Sequence, residues 1–180
     1  GSMTDKQMVF NGKIIQVEVR QIELPNGHQM EMELIHHPGG SAVVALDDKE
    51  HICLLKQYRC GFDTWLWELP AGKRDFQEPP IETAQRELAE EAGVLASEWL
   101  DLGPMISSPG VFSERVFLYL ARQLTSTPTK IAPDEVLQVH WLPMEQAYQW
   151  AINGTITDAK SVIGILKSYH LLKEMRVSKE

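Results

Sequence analysis

The sequence predicts an α+β protein: a mixed β-sheet held between helices, preceded by a small antiparallel sheet. Three observations carry that expectation. Up to residue 38 the chain holds β-prone stretches broken at Asn-Gly turns, its middle alternates short apolar runs with turns, and its last 40 or so residues have helical patterning. Strands first, helices interspersed and helices last suit a sheet layered between helices. At 180 residues the chain is long enough for one domain with a full core and a small appendage.

In "MVFNGKIIQV" a short strand meets an Asn11-Gly12 turn. "KIIQVEVRQIELP" and "HQMEMELIHHPGG" follow as two strands around Asn26-Gly27, with Val17, Val19, Ile22 and Leu24 supplying β-prone side chains. A sheet this small is marginal alone and needs a partner surface. The "HHPGG" turn sets a boundary, so residues 1–38 form an N-terminal antiparallel unit and residues 39–175 the main domain. Within the latter, "SAVVAL" and "HICLLKQYR" are apolar strands around "DDKE", and "TWLWELPAG" is a third strand stopped by Pro70 and Gly72. "PPIETAQRELAEEAG" is a helix with prolines at its start and Gly93 past its end. "VFLYLARQL" and "VLQVHWLP" are later strands, and "MEQAYQWAING" and "DAKSVIGILKSYHLLKEM" are closing helices, the second amphipathic enough to cover a sheet.

Composition narrows the function. Apolar residues at 43% and charged residues at 23% are ordinary for a soluble domain. Gly1-Ser2 ahead of Met3 reads as a cloning remnant. No apolar run reaches the roughly 20 residues that span a bilayer, and no signal peptide is visible, so a cytoplasmic protein with no membrane partner is expected. Cys53 and Cys60 read as reduced thiols. A formal net charge of −8 argues against nucleic acid as a partner, and it means that an enzyme acting on phosphates must bring cations.

The stretch from Gly72 to Val94, "GKRDFQEPPIETAQRELAEEAGV", holds six acidic residues, three of them at Glu87, Glu90 and Glu91. Like charges at this spacing repel by roughly 0.2–0.5 kcal/mol per exposed pair, and the C-terminal end of a helix disfavours negative charge further. At about 100° per residue the three acids share one side, while Ile81, Ala84, Leu88 and Ala92 form an adjoining apolar stripe for the core. Arg86 can pair with Glu82 or Glu90, which leaves Glu87 and Glu91 without a base on the helix. Clustered carboxylates suit hard divalent cations, and the turn at "LPAG" can add the Ala71 carbonyl to the same ion.

The spacing GX5EX7REUXEEXGU, with U a bulky aliphatic residue, resembles the Nudix box at every specified position: Gly72, Glu78, Arg86, Glu87, Leu88, Glu90, Glu91, Gly93 and Val94. Nine specified positions in 23 residues make the motif highly specific. The resemblance implies a Nudix α/β/α sandwich and a pyrophosphohydrolase acting on a nucleoside diphosphate linked to another moiety. It also implies Mg²⁺ or Mn²⁺ held by Glu87, Glu90, Glu91 and the Ala71 carbonyl. Gly72, Glu78, Arg86 and Gly93 then support the motif structurally, with Arg86 pairing Glu78 or its neighbours to hold the loop on the helix. The physical chemistry agrees, since divalent ions neutralise diphosphate oxygens and acidify water, whose proton a further carboxylate can take.

The remainder resembles the ADP-ribose and nucleoside diphosphate sugar pyrophosphatase branch. "HHPGGSAVVAL", "LLKQYR", "WLWELPAGK", "SSPGVFSERVFLYLA" and "MEQAYQWAINGTITDAKSVIGI" carry the likeness over most of residues 36–164. A proline in this branch follows the box by about fifteen positions, which matches Pro109. The resemblance makes Arg59 a phosphate or ribose contact, for which a guanidinium fork is suited, and adds Arg20, Pro109 and Glu114 as substrate-site candidates. A late acidic loop brings a carboxylate over the metals. In "APDEVLQVHWLP" that is Asp134 or Glu135, and counting back from "VH" favours Glu135 as a further ligand and general base. Glu91 is the alternative base, so Glu135, Glu91 and Glu90 are the catalytic candidates.

His36 and His37 shape a Pro-Gly turn, His140 packs within a strand, and Trp65 and Trp67 are core or interface aromatics. The branch further implies that the N-terminal strands build a two-fold homodimer. The expected activity is therefore Mg²⁺-dependent cleavage of ADP-ribose to AMP and ribose 5-phosphate, extending to other nucleoside diphosphate sugars. The rivals are a specialist for GDP-mannose or another such sugar, and a catalytically silent Nudix sensor of nucleotide sugars.

Overall fold

The structure, a computed structural model, describes residues 3–179, so Gly1, Ser2 and Glu180 lie outside the described residues. The chain forms two compact units, one running to Gly39 and including Ile106–Arg115, the other comprising Gly40–Met105 and the chain from Val116 onward. The sequence alone suggests one domain over residues 39–175, whereas residues 106–115 group with the first unit. Backbone pairing explains this, since Ile35 N donates to Val111 O at 2.8 Å and Ser113 N to Ile35 O at 2.9 Å.

In the first unit β1 (Met3–Asn11), β2 (Gln16–Glu23) and β3 (Gln29–His36) form an antiparallel sheet in chain order. The β2–β3 turn closes as Asn26-Gly27 predicts: Gly27 takes a φ of +86°, and Gly27 N donates to Leu24 O at 2.8 Å. Glu18 on β2 is fully buried, its carboxylate against Lys6, Arg20 and His36, and the His36 hydrogen bond leads in holding its pKa below the usual range. Met8, Val9 and Phe10 on β1 stay exposed.

The second unit is a layered sandwich. β4 (Gly40–Ala45) is buried along its whole length, as its uninterrupted apolar sequence requires, and lies in a mixed sheet of order β7-β4-β9-β8. It runs parallel to β9 (Arg115–Ser126) and antiparallel to β7 (Ala71–Lys73). β8 (Val94–Ile106) forms the far edge. The antiparallel sheet of order β10-β5-β6 joins β5 (His51–Arg59), β6 (Thr64–Glu68) and β10 (Leu137–Pro143).

Strand alternation divides the core in two. Ala42, Val44, Leu46, Leu118 and Leu120 meet Ile156, Ile165 and Leu172 on one side, under α2 (Met144–Asn153) and α3 (Ala159–Lys179). Val43, Ala45, Tyr119 and Ala121 meet Ala84 and Leu88 on the other, under α1 (Pro80–Glu87) and the π-helical turn that continues it (Leu88–Ala92). The result is the α/β/α sandwich expected. On α3 the buried positions Ser161, Gly164, Ile165, Ser168 and Leu172 trace a single helical face. A Cβ on Gly164 would come within 2.9 Å of Leu69, so the residue permits close approach of helix and sheet.

Three local expectations change. "TWLWELPAG" is not one strand: β6 pairs with β5 and β7 with β4, parted at Leu69-Pro70, where Pro70 has no N–H and its carbonyl instead accepts Val43 N at 2.9 Å. β8 was not anticipated, because its acids and Pro104 break the strand pattern, and an edge tolerates both. The box helix leaves α geometry at Leu88, two residues before Glu90 and the second half of its acidic cluster.

Candidate active site

Two backbone segments and one loop converge around the box helix. The Leu69–Ala71 corner is pinned from three directions: Leu69 N donates to Ser161 Oγ at 2.9 Å, Val43 N to Pro70 O at 2.9 Å, and Ala71 N to Glu91 Oε1 at 2.9 Å. Gly72 lies so close to the helix that an added Cβ would stand 2.1 Å from the Glu87 carboxyl carbon. The loop from Thr127 to Val136 is tied over the π turn through Thr127 N to Gly93 O at 2.9 Å and Lys130 N to Glu90 O at 2.8 Å. Its far end is held by Tyr58 N to Val136 O at 3.0 Å. Gly93, at a φ of +69°, makes the left-handed stop that lets the chain leave the helix into β8.

Arg86 organises the box from within. It forks onto Glu78, Nε to Oε2 at 3.0 Å and Nη2 to Oε1 at 2.9 Å, and donates to Lys73 O at 3.1 Å and Glu87 Oε1 at 2.7 Å. Thr83 Oγ1 adds a 2.6 Å bond to Glu78, and Arg74 Nε donates to Glu78 O at 2.9 Å, so the loop from 73 to 78 is laced to the helix. The Arg86 fork, then Thr83, hold the Glu78 carboxyl down to about 2, against an ordinary 4.5. This pair stabilises the fold fully above about pH 4.5, and its contribution fades as pH falls towards 2. Glu78→Gln should accordingly flatten the acid limb of the stability curve. Urea unfolding of both proteins between pH 6 and pH 3 checks this, and equal slopes would contradict it.

The acidic groups stand in sharp contrast to one another. Glu91 is buried, at 3% exposure, whereas the Glu90 side chain is 33% exposed. Burial pushes Glu87 up to about 7; Arg86 opposes the shift, and the charges of Glu90 and Glu135 add to it. Glu91 is raised well above the carboxylate range by burial and by its hydrogen bond with Glu135, against the pull of the Ala71 N–H. The structure thus brings Glu87, Glu90, Glu91 and Glu135 within each other's field around the Ala71–Gly72 corner. Among the described residues no three His, Cys, Asp or Glu side chains already stand in metal-holding geometry. The donor chemistry nevertheless suits a hard divalent cation, because burial and neighbouring carboxylates raise the cost of ionising Glu87 and Glu91, and oxygen ligands are what such an ion takes.

Other predicted positions fall as follows. Arg59 ends β5 with its guanidinium on Glu68, Nε to Oε2 at 2.7 Å and Nη2 to Oε1 at 2.8 Å. Arg20, Pro109 and Glu114 belong to the first unit. There Arg20 pairs with Glu18, Pro109 sits in a turn, and Glu114 accepts Ser107 Oγ at 2.8 Å. His37 Nδ1 accepts Gly39 N at 2.9 Å, shaping its turn, and His140 packs edge-on to Trp67 with centroids 5.1 Å apart. Trp65 is exposed and paired edge-on with Tyr58, while Trp67 packs against the core. Both cysteines are free, and burial pushes the Cys53 thiol up to about 12.

Sequence reasoning passed over Thr83, Glu68, Lys160 and Ser161. Thr83 is within reach of Glu78 by helix geometry and was legible in principle. Glu68 and Lys160, 92 residues apart, share no local pattern.

The NUDIX domain family matches residues 36–162. The chain is 36% identical over 171 residues to an ADP-ribose pyrophosphatase of Bacillus subtilis (strain 168), covering 94% of this chain and 91% of that protein. It is 33% identical over 161 residues to a methanol dehydrogenase activator of Bacillus methanolicus, covering 88% and 87%. The crystal structure of an ADP compounds hydrolase superposes with a TM-score of 0.83 at 22% identity, covering 97% of this chain and 95% of that one, a likeness of fold. With the family matched around a sandwich whose acidic helix carries the complete box, the chain belongs to the NUDIX domain family.

Proposed function

We propose that the protein is a Mg²⁺-dependent hydrolase that splits ADP-ribose into AMP and ribose 5-phosphate and accepts other nucleoside diphosphate sugars. The observation that carries this is the gathering of Glu87, Glu90, Glu91 and Glu135 at the Ala71–Gly72 corner. Similarity to an ADP-ribose pyrophosphatase along almost the whole chain supports the choice of substrate. The carboxylates of Glu87, Glu90, Glu91 and Glu135 and the Ala71 carbonyl would hold the ion. When bound, Mg²⁺ supplies positive charge to the diphosphate oxygens and acidifies water at the site; Mn²⁺ is a substitute.

The chain's own groups do the rest. Arg86 and Glu78 keep the box loop on the helix, and Gly72 leaves room for Glu87. Arg59 offers its guanidinium to a phosphate oxygen, and Arg20, Pro109 and Glu114 are the further substrate-contact candidates. Glu135 takes the proton of the attacking water, with Glu91 as the other candidate. Glu135→Gln should lower kcat by about a hundredfold with little change in KM, and turnover close to wild type would pass the role to Glu91.

The exposed Met8, Val9 and Phe10 of β1 support a homodimer built through the N-terminal strands. Light scattering at micromolar concentration should return twice the chain mass of 20.4 kDa, and a monomer would contradict it. We place the enzyme in the cytoplasm. Among the described residues no helix is long and apolar enough to cross a membrane.

The deciding experiment incubates the protein and Mg²⁺ with ADP-ribose, ADP-glucose, GDP-mannose, NADH and a nucleoside triphosphate, then measures phosphate freed by a phosphatase. Release is expected first from ADP-ribose. Release only from GDP-mannose would favour the specialist, and none from any would favour a silent sensor. The likeness to a dehydrogenase activator gives that last reading a specific partner class, an enzyme whose rate the domain alters.

A further inference from the structure

Outside the acidic cluster, the second unit holds another group of charges for which the box has no use. Glu68, at the end of β6, has a side chain only 3% exposed, yet it sits between two cations. Its Oε2 accepts Arg59 Nε at 2.7 Å, and its Oε1 accepts both Arg59 Nη2 and Lys160 Nζ at 2.8 Å. Lys160, at the start of α3, also donates to Asp158 Oδ1 at 3.1 Å and Oδ2 at 3.0 Å. Ser161 Oγ donates to Asp158 Oδ2 at 2.5 Å and accepts Leu69 N. Two cations and two anions therefore balance, and the set is anchored to the corner whose Ala71 N–H meets Glu91.

The strand register shows what this does to Arg59. Arg59 lies opposite Thr64 and Glu68 opposite Leu55, so the guanidinium reaches back along the hairpin to its partner. Of its five N–H groups, Glu68 takes one from Nε and one from Nη2. Of the remaining three, one on Nη1 and one on Nη2 form the adjoining end-on fork, the shape that meets two oxygens of a phosphate. The Arg59 side chain is 44% exposed, and among the described residues Glu68 is its hydrogen-bond partner, so one edge is clamped and the adjoining one is left without a protein acceptor. A freely rotating arginine would lose that orientation and would have to be ordered at each binding event.

We infer that Glu68, itself held by Lys160, is a positioning residue that clamps one edge of Arg59 so that the other is presented to the diphosphate of a nucleoside diphosphate sugar. The inference rests on the hydrolase reading for its substrate. Its geometry would serve any diphosphate bound beside the box.

The test is a double-mutant cycle on ADP-ribose hydrolysis with Mg²⁺, using Glu68→Gln, Arg59→Ala and the pair. Each single variant should raise KM about tenfold with kcat nearly unchanged, and the pair should be no worse than Arg59→Ala alone. Lys160→Met should raise KM in the same direction by a smaller factor. Multiplying effects, or an unchanged KM in Glu68→Gln alongside a lowered melting temperature, would reduce Glu68 to a structural ion pair and overturn the inference. Where Glu68→Gln does not fold, Glu68→Asp and Arg59→Lys carry the same cycle, since both keep charge while one shortens the reach of the carboxylate and the other removes the guanidinium fork. If the wild type splits no nucleoside diphosphate sugar, the hydrolase reading falls by itself. The cycle is then read from calorimetric titration with inorganic pyrophosphate, in which a non-additive weakening supports the clamp, and additive effects or no binding refute it.

Discussion

Glu91→Gln should lower ADP-ribose turnover by about three orders of magnitude while the protein stays folded and, without Mg²⁺, melts at a higher temperature. The amide has the shape of the carboxyl and can still accept the Ala71 N–H through its oxygen, so the corner is kept. What is lost is the capacity to carry negative charge at a site where burial and Glu135 already oppose it. Burying an ionisable carboxyl costs more than burying a hydrogen-bonded amide, which is why the metal-free variant gains stability. Wild type should recover stability on adding Mg²⁺, by about 2.7 kcal/mol at a hundred times the dissociation constant, and the variant by much less. Calorimetric melts with Mg²⁺ and with a chelator read this without any substrate. A variant that responds to Mg²⁺ as wild type does would remove Glu91 from the ligand set.

Gly72→Ala should cost about a hundredfold in turnover and only about 1–3 kcal/mol in stability. Gly72 does not have a positive φ, so the backbone accepts alanine there, unlike Gly93 at +69°. The three atoms nearest the new methyl group all belong to Glu87: it would stand 2.1 Å from Cδ, 2.3 Å from Oε1 and 2.5 Å from Cγ. Glu87 must swing off β7 and give up its place beside Arg86 Nη1, and a carboxylate displaced by about an ångström is poorly placed to close on an ion with the others. Activity of the variant should also require more Mg²⁺ for half-saturation. Wild-type turnover at wild-type Mg²⁺ would show that Glu87 does not need this place.

Residues whose roles are played out between near neighbours were legible in the sequence. The nine box positions lie within 23 residues, and Arg86, Glu78 and Glu87 meet because helix and loop geometry bring them together. The Asn26-Gly27 hairpin and the closing helices were legible for the same reason, through a turn preference and a helical period. β8 was not, since its thirteen residues include Pro104 and two acids, Glu98 and Asp101, that an edge position tolerates. The break within "TWLWELPAG" was signalled by Pro70, but its consequence depends on Val43, far back in the chain, donating to the Pro70 carbonyl. The clamp on Arg59 lay beyond any local pattern, because Lys160 reaches Glu68 only once α3 has docked on the sheet.

Glu90 and Glu91 draw the line most sharply. By itself the sequence determined that two carboxylates stand side by side at the end of the box helix, in a spacing that calls for cations. Only the tertiary structure decided that they are unequal: the π turn and the Ala71 corner bury Glu91 at 3% exposure and bring Glu135 onto it, while Glu90 stays a third exposed. Residue type and spacing set how much charge a helix carries. How strongly each acid holds its proton depends on the water it loses and the groups it meets, and distant parts of the chain supply both.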